Sequence, residues 1–250
     1  MINFDKRLFD LNCKEAKSCY IDTVNIGLGY TAVVLKDGRC GLCYTYVDSK
    51  TSCNVLKGDS TFEESCCYDI LCKLENNENT VERTIIIAMI NAMNVKEICN
   101  LEEDPGTLFK DLNLKYGDKV AMIGYFKPIV NQFKLKGVIV DSYDIGQGIG
   151  DEESFYNLTV PSSDALIISA TSFINNTFSF IIDKIGHYNK PTSVLGPSTI
   201  MQEKLYEGTP VKCLGGTLPV DIDKILKAVR NGKGTPQLHK YSRKIYQVIK

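Results

Sequence analysis

The chain has 250 residues and a mass of 27.9 kDa, with 44% hydrophobic and 24% charged residues, a composition too apolar for disorder and a length beyond a lone minidomain. Its 29 Lys and Arg against 30 Asp and Glu leave a net charge of -1, without the electrostatic footprint of a protein that lives on nucleic acid or anionic lipid. No apolar run has the length of a membrane span, and the opening Met1-Ile2-Asn3-Phe4-Asp5-Lys6 lacks a basic-then-apolar secretory pattern. A cytoplasmic setting is expected.

Residues 3–17 place Phe4, Leu8, Phe9 and Leu11 at helical spacing, which predicts an amphipathic opening helix. Tyr20–Ile26, Tyr30–Lys36 and Cys40–Tyr46 are rich in β-branched and aromatic residues and are separated by Gly27-Leu28-Gly29 and Asp37-Gly38 turn chemistry, an antiparallel meander. Thr61-Phe62-Glu63-Glu64 has the Ser/Thr-x-x-Glu capping pattern and predicts a helix from Phe62 to Leu74. After Asn76-Asn77-Glu78-Asn79, a second helix carrying Ile85–Ile90, Ala92 and Met93 is apolar nearly all round and should be buried on several sides. Asn91 interrupts it. Such an amide needs partners, so it either ties two domains together or faces a ligand pocket, and the pocket is the preferred reading.

From about residue 105 the pattern changes. Val120–Gly124, Gly137–Asp141, Ala165–Ala170, Thr192–Leu195 and Val211–Leu214 are short continuous apolar runs of the kind buried on both faces of a parallel sheet. Helical stretches at Phe178–Ile185 and Ile222–Val229 alternate with them, a Rossmann-like layout; residues 142–163 read as a loop or short helix. The expected organisation is α/β, with an α+β domain at 1–103 and a parallel-sheet domain at 104–250, divided near Asp104-Pro105-Gly106.

Nine of the ten cysteines precede residue 100, and without a secretory signal they are expected as reduced, mostly packing thiols. Cys40-Gly41-Leu42-Cys43 has the spacing of a metal knuckle, yet residues three apart on a strand point to opposite faces and cannot converge on one ion. Cys66 and Cys67, neighbours in a predicted helix, diverge by about 100°.

In an open parallel sheet ligands gather beyond the carboxyl ends of the strands. Gly124-Tyr125-Phe126-Lys127-Pro128 follows the first strand with a single glycine and lacks the dinucleotide fingerprint, and Gly146-x-Gly148-x-Gly150 leads into acids that would repel a phosphate. No cofactor is therefore assigned. Asp141 could bond a ribose-like hydroxyl or be a solvated strand end. After the third strand, Thr171, Ser172, Asn175, Asn176 and Thr177 lead into an apolar helix. They could cap it, or together with free backbone N–H groups form a polar concavity for an anion or heterocycle. Leu195-Gly196-Pro197-Ser198 repeats the theme, with Ser198 able to cap the next segment. After Asp223 there are eight Lys or Arg and no acid, a solvated face or a lid over an anionic ligand. His187 and His239 stand isolated.

The meander with its glycine turns, Ile90-Asn91-Ala92, Val120-Ala121-Met122-Ile123-Gly124-Tyr125-Phe126-x-Pro128, Thr171-Ser172-x-x-Asn175-Asn176-Thr177 and Leu195-Gly196-Pro197-Ser198 occur in an order that resembles the putative heavy-metal chelation family over roughly residues 15–240. The resemblance implies an N-terminal domain like the cap of enolases, a Rossmann-like C-terminal domain, and a site in the cleft between them formed by Asn91, Gly124, Phe126, Pro128, Thr171, Asn175, Thr177, Gly196, Pro197 and Ser198. Where the family often has Glu at the end of the second parallel strand, this chain has Asp141. Hydroxyls, amides and glycines suit an organic ligand better than a soft metal. These residues admit three readings: a protein binding a small polar or anionic molecule or a metal chelate in the cleft, with homo-oligomerisation open; an enzyme acting on a heterocyclic or nucleotide-like metabolite with Asp141 or Lys240 as proton-transfer group; and metal sequestration by the N-terminal thiols.

Overall fold

The computed structural model describes residues 2–47, 56 and 61–249. Helix α1 (Phe4–Ala16) starts where Asn3 accepts the Lys6 N–H at 2.9 Å, satisfying one of the donors that every helix start leaves free. Strands β1 (Ile21–Ile26), β2 (Tyr30–Leu35) and β3 (Cys40–Tyr44) form the expected meander, with Val24 opposite Val33 and Tyr30 opposite Tyr44. Helix α2 covers only Cys67–Leu71, and α3 (Thr80–Met93), capped by Asn79, is followed by the short α4 (Val95–Ile98). The capping box predicted at Thr61 and Glu64 does not form. Glu64 sits at φ 65°, and residues 64–66 pair with the entry to β1 through Glu64 N–H to Ile21 O and Ile21 N–H to Ser65 O. Strand pairing overrides the local cap signal, and the Glu64 carboxylate turns to Lys36 instead.

The second half begins with α5 (Leu108–Asp111), β4 (Lys119–Ile123), α6 (Lys127–Leu135) and β5 (Ile139–Tyr143). Residues 152–162 form one helical passage in which α7 (Glu152–Ser154) and α8 (Val160–Ser162) flank a π-helical turn. Then come β6 (Ala165–Ser169), α9 (Phe178–Gly186), β7 (Thr192–Leu195), β8 (Val211–Pro219), α10 (Ile222–Arg230), α11 (Thr235–Leu238) and β9 (Ser242–Val248). The six strands run in the order β5-β4-β6-β7-β8-β9, parallel except for β9, which pairs antiparallel with the long β8. The basic tail therefore contains an edge strand that the charge pattern conceals. β5 and β6 flank β4, so the strand order reverses at β4, and a crevice opens beyond the carboxyl ends of β4 and β6.

Every residue of β2 is buried because its sheet is covered on both faces. Val33, Leu35 and Cys43 join the core built with α3, while Ala32, Val34, Cys40 and Leu42 pack with Ile225, Ala228, Val229 and Leu238 of α10 and α11. The core of the α3 face continues into Ile168 of β6 and Ile182 of α9, so the two sheets share a hydrophobic interior. No helix among the described residues is long and apolar enough to cross a membrane.

Candidate functional site: a polar cleft at the strand ends

The carboxyl ends of β4, β6 and β7, with the far part of β8, face the rim of the three-stranded sheet across a cleft of about 1130 Å³. Gly124 ends β4 at φ 85°, and a Cβ there would come within 2.6 Å of Ser169 Cβ. Only glycine lets the first and third parallel strands close on each other at this point. Phe126 lies next to Gly196, where a Cβ would reach both the ring and Ala170 at 3.9 Å.

The segment after β6 supplies paired polar groups. Ser169 and Thr171 share a hydroxyl–hydroxyl bond of 2.8 Å, the Ser172 hydroxyl donates to Ser169 O at 2.7 Å, and Asn175 Oδ1 accepts from the Thr177 hydroxyl at 2.7 Å. That leaves the Asn175 Nδ2 without a protein acceptor among the described residues, on the cleft wall. The segment is held from the other side by Arg83 of α3, whose Nε donates to Ile174 O at 2.9 Å and whose Nη2 donates to Phe173 O at 2.7 Å. Both Arg83 terminal nitrogens also donate to the Asp5 carboxylate at 2.8 Å. This buried, bidentate pair fixes the backbone on which Thr171 and Asn175 are carried.

The rim of the three-stranded sheet contributes Tyr30, Tyr44 and Tyr46. Ser198 joins it to the second sheet: its Oγ accepts the Tyr44 N–H at 2.9 Å and the Cys43 thiol at 3.3 Å. Tyr30 adds a hydroxyl–hydroxyl contact of 2.6 Å to Thr235. Burial raises the Tyr30 phenol, and burial with the neighbouring Glu152 carboxylate pushes Tyr143 up to about 12, so both stay protonated at neutral pH.

Gly124, Phe126, Pro128, Thr171, Ser172, Asn175, Thr177, Gly196, Pro197 and Ser198 all line this cleft. Asn91, Asp141 and Asn176 do not. The Asn91 amide donates to Leu42 O at 3.0 Å and locks α3 onto β3, because strand and helix backbones meet there at Gly41. Strand β5 begins at Ile139 rather than Gly137, so Asp141 falls mid-strand, exposed, and the acid that follows this strand onto the cleft wall is Asp144, which accepts the Tyr125 N–H at 2.8 Å. Asn176 takes a left-handed turn at φ 57°. Neither helix-capping expectation holds: the first residues of α9 receive no side-chain cap, and Ser198 lies within a turn rather than at the start of a helix. Lys240 also lies off the lining, whereas Tyr44, Glu152, Tyr156, Thr217, His239 and Lys244 are on it. The Phe180–Ile181 and Ile245–Tyr246 apolar pairs that flank them are visible in the sequence, but the long-range pairing that brings β9 to the cleft is not.

A soft metal ion does not fit the donors present. Cys40 and Cys43 lie on opposite faces of their sheet, and burial pushes both thiols up to about 12, far from the thiolate a metal needs. Among the described residues no three His, Cys, Asp or Glu side chains converge to hold a metal ion; Cys53 lies outside them.

A three-stranded antiparallel sheet beside the carboxyl ends of a six-stranded, mostly parallel one makes this a two-sheet α/β protein. Residues 107–248 match the DUF364 family and residues 11–94 match DUF4213, both described as putative heavy-metal chelation. The chain belongs to the DUF364 family. It is similar to an uncharacterized protein of Methanocaldococcus jannaschii, 30% identical over 155 residues that span 58% of this chain and 58% of that protein. Two solved structures share the fold. A protein with unknown function of this family from Pyrococcus horikoshii is 22% identical with a TM-score of 0.78 over 99% of this chain and 100% of that one. A second, from Desulfitobacterium hafniense, is 15% identical with a TM-score of 0.75 over 97% of this chain and 98% of that one.

Proposed function

We propose that this protein binds a small polar or anionic organic molecule, or the metal chelate such a molecule forms, in the cleft between its two sheets. The observation that carries the reading is the lining itself: the free Asn175 amide, paired Ser and Thr hydroxyls and glycines surround a space of about 1130 Å³ with Tyr and Phe walls, the mix of apolar surface and few polar anchors typical of metabolite sites. In this reading a metal reaches the protein already held by its organic ligand, and the protein supplies hydrogen bonds rather than coordination. We take the six-stranded unit, residues 104–250, as Rossmann-like and residues 1–103 as the counterpart of an enolase cap. The nine described cysteines are all unpaired, which supports a reducing, cytoplasmic setting.

A catalytic role on a heterocyclic or nucleotide-like metabolite is the second reading, favoured by one observation: an imidazole, His239, reaches the cleft. Native mass spectrometry of protein purified without denaturation tests the first reading. An organic adduct is expected on the native protein, retained by the Cys40→Ser, Cys43→Ser variant and lost from Thr171→Val, Asn175→Ala. An adduct unaffected by the latter pair would refute the assignment; conversion of the adduct on incubation would favour the second reading.

A further inference from the structure

The acids and bases of the cleft differ in what they already hold. Toward β5, Asp144 accepts from the Tyr125 N–H and from Gln147, both at 2.8 Å, and Glu152 accepts from the Tyr143 hydroxyl at 2.9 Å. At the opposite end, His239 and Lys244 line the same cleft, and neither side chain has a hydrogen-bond or ion-pair partner among the described residues. Thr217 lies directly across from Lys244 in the β8–β9 register, so the two side chains stand next to each other on one face of the sheet. Its hydroxyl is likewise without a partner there.

The surrounding groups do not neutralise this end. Asp104, whose N–H donates to Lys244 O, turns its carboxylate back to the Gly106 N–H at 2.9 Å. Tyr30 from β2 and Tyr246 from β9 are raised by burial and stay neutral, and Lys224 of α10 is paired with Asp221 at 2.6 Å. Burial, and then the Lys244 ammonium, hold the His239 imidazolium below its ordinary range, so the ring is mostly neutral at neutral pH while no anion is bound. A lysine ammonium and an imidazole lining one space disfavour the second positive charge until an anion lies between them.

We infer that Lys244, His239 and Thr217 form an oxyanion subsite that takes a phosphate, sulfate or carboxylate group of the molecule bound in the cleft. The inference rests on the cleft reading above and adds the position and charge of one end of the ligand. An oxyanion accepts from the ammonium, the imidazolium and the hydroxyl at once, and by linkage it must raise the His239 pKa as it binds.

The chain has only two histidines, His187 and His239, so proton-detected titration of the imidazole signals resolves each. The probe is inorganic sulfate, with chloride at equal ionic strength as the control and acetate as a second arm. Sulfate or acetate is expected to raise His239 by about one unit over chloride, a tenfold preference for the imidazolium form, with His187 unmoved. Lys244→Gln should lose most of that shift while keeping the amide spectrum of the folded protein, and Asn175→Ala should keep it. Identical His239 titrations in all three salts, an equal shift at His187, or a shift untouched by Lys244→Gln would overturn the subsite. Such a failure leaves the central cleft standing, because that reading is decided by the fate of the native adduct in the Thr171 and Asn175 variants.

Discussion

The three-stranded sheet and the carboxyl ends of the six-stranded sheet treat reactive side chains in opposite ways. In the first, Cys40 and Cys43 have the spacing of a metal knuckle, yet they are buried fillers on opposite faces, sealed by α3 on one side and by α10 and α11 on the other. In the second, glycines, hydroxyls and amides carry little intrinsic reactivity, yet they gather around open space. Chemical character on paper is a poor guide to accessibility; the number of covered faces decides it. A sheet covered twice turns thiols into packing, and the carboxyl ends of strands where the strand order reverses gather backbone and hydroxyls around a crevice.

The contrast can be broken most severely through Arg83, which joins the two regions. Asp5→Ala leaves the Arg83 guanidinium, 1% exposed, with a buried charge that has lost its carboxylate, and should cost about 3–5 kcal/mol in chemical denaturation. Retention of full stability would mean that the pair does not hold the 173–174 carbonyls in place. Gly41→Ala comes next. Its Cβ would come within 2.1 Å of Ala88 O and 2.3 Å of Ala92 N, so β3 and α3 must separate, at about 1–3 kcal/mol or more, read from the thermal midpoint. Ser198→Ala removes the acceptor of the Tyr44 N–H and should cost about 1–3 kcal/mol, with the largest increase in amide exchange at Tyr44. An unchanged exchange rate there would show that Ser198 does not couple the sheets. The smallest effect sharpens the comparison without altering the protein: a thiol reagent at neutral pH should label exposed Cys72 and Cys99 first and reach Cys40 and Cys43 only on unfolding.

Periodicity located most of the framework. The apolar run through Ile85–Met93 predicted a helix buried all round, and α3 is buried at every position from Arg83 to Met93. Short β-branched runs found β4, β6 and β7; the polar segments after β6 and β7, together with the family resemblance that added Gly124, Phe126 and Pro128, pointed to ten residues that line the cleft. What failed were features decided by partners distant in sequence. The cap signal at Thr61 and Glu64 lost to pairing with β1, and β9 was hidden because its Lys and Arg positions read as a solvated run until β8 supplied a neighbour. With β9 unseen, His239 stood isolated and Lys244 was one charge among eight in a run read as a solvated face or a lid. The offset of β5 moved the strand-end acid from Asp141 to Asp144, and Arg83 escaped notice because its acceptors lie 78 to 91 residues away along the chain or on main-chain carbonyls.

The central claim is that whatever this protein holds, it holds by hydrogen bonds in the cleft and not by thiolate coordination. A crystal grown from protein expressed in metal-supplemented cells, with anomalous diffraction recorded, tests this most directly. The account predicts organic density beside Gly196, within reach of Thr171 and Asn175, with any anomalous peak coordinated by that molecule. An anomalous peak bonded to Cys40 or Cys43 would contradict it.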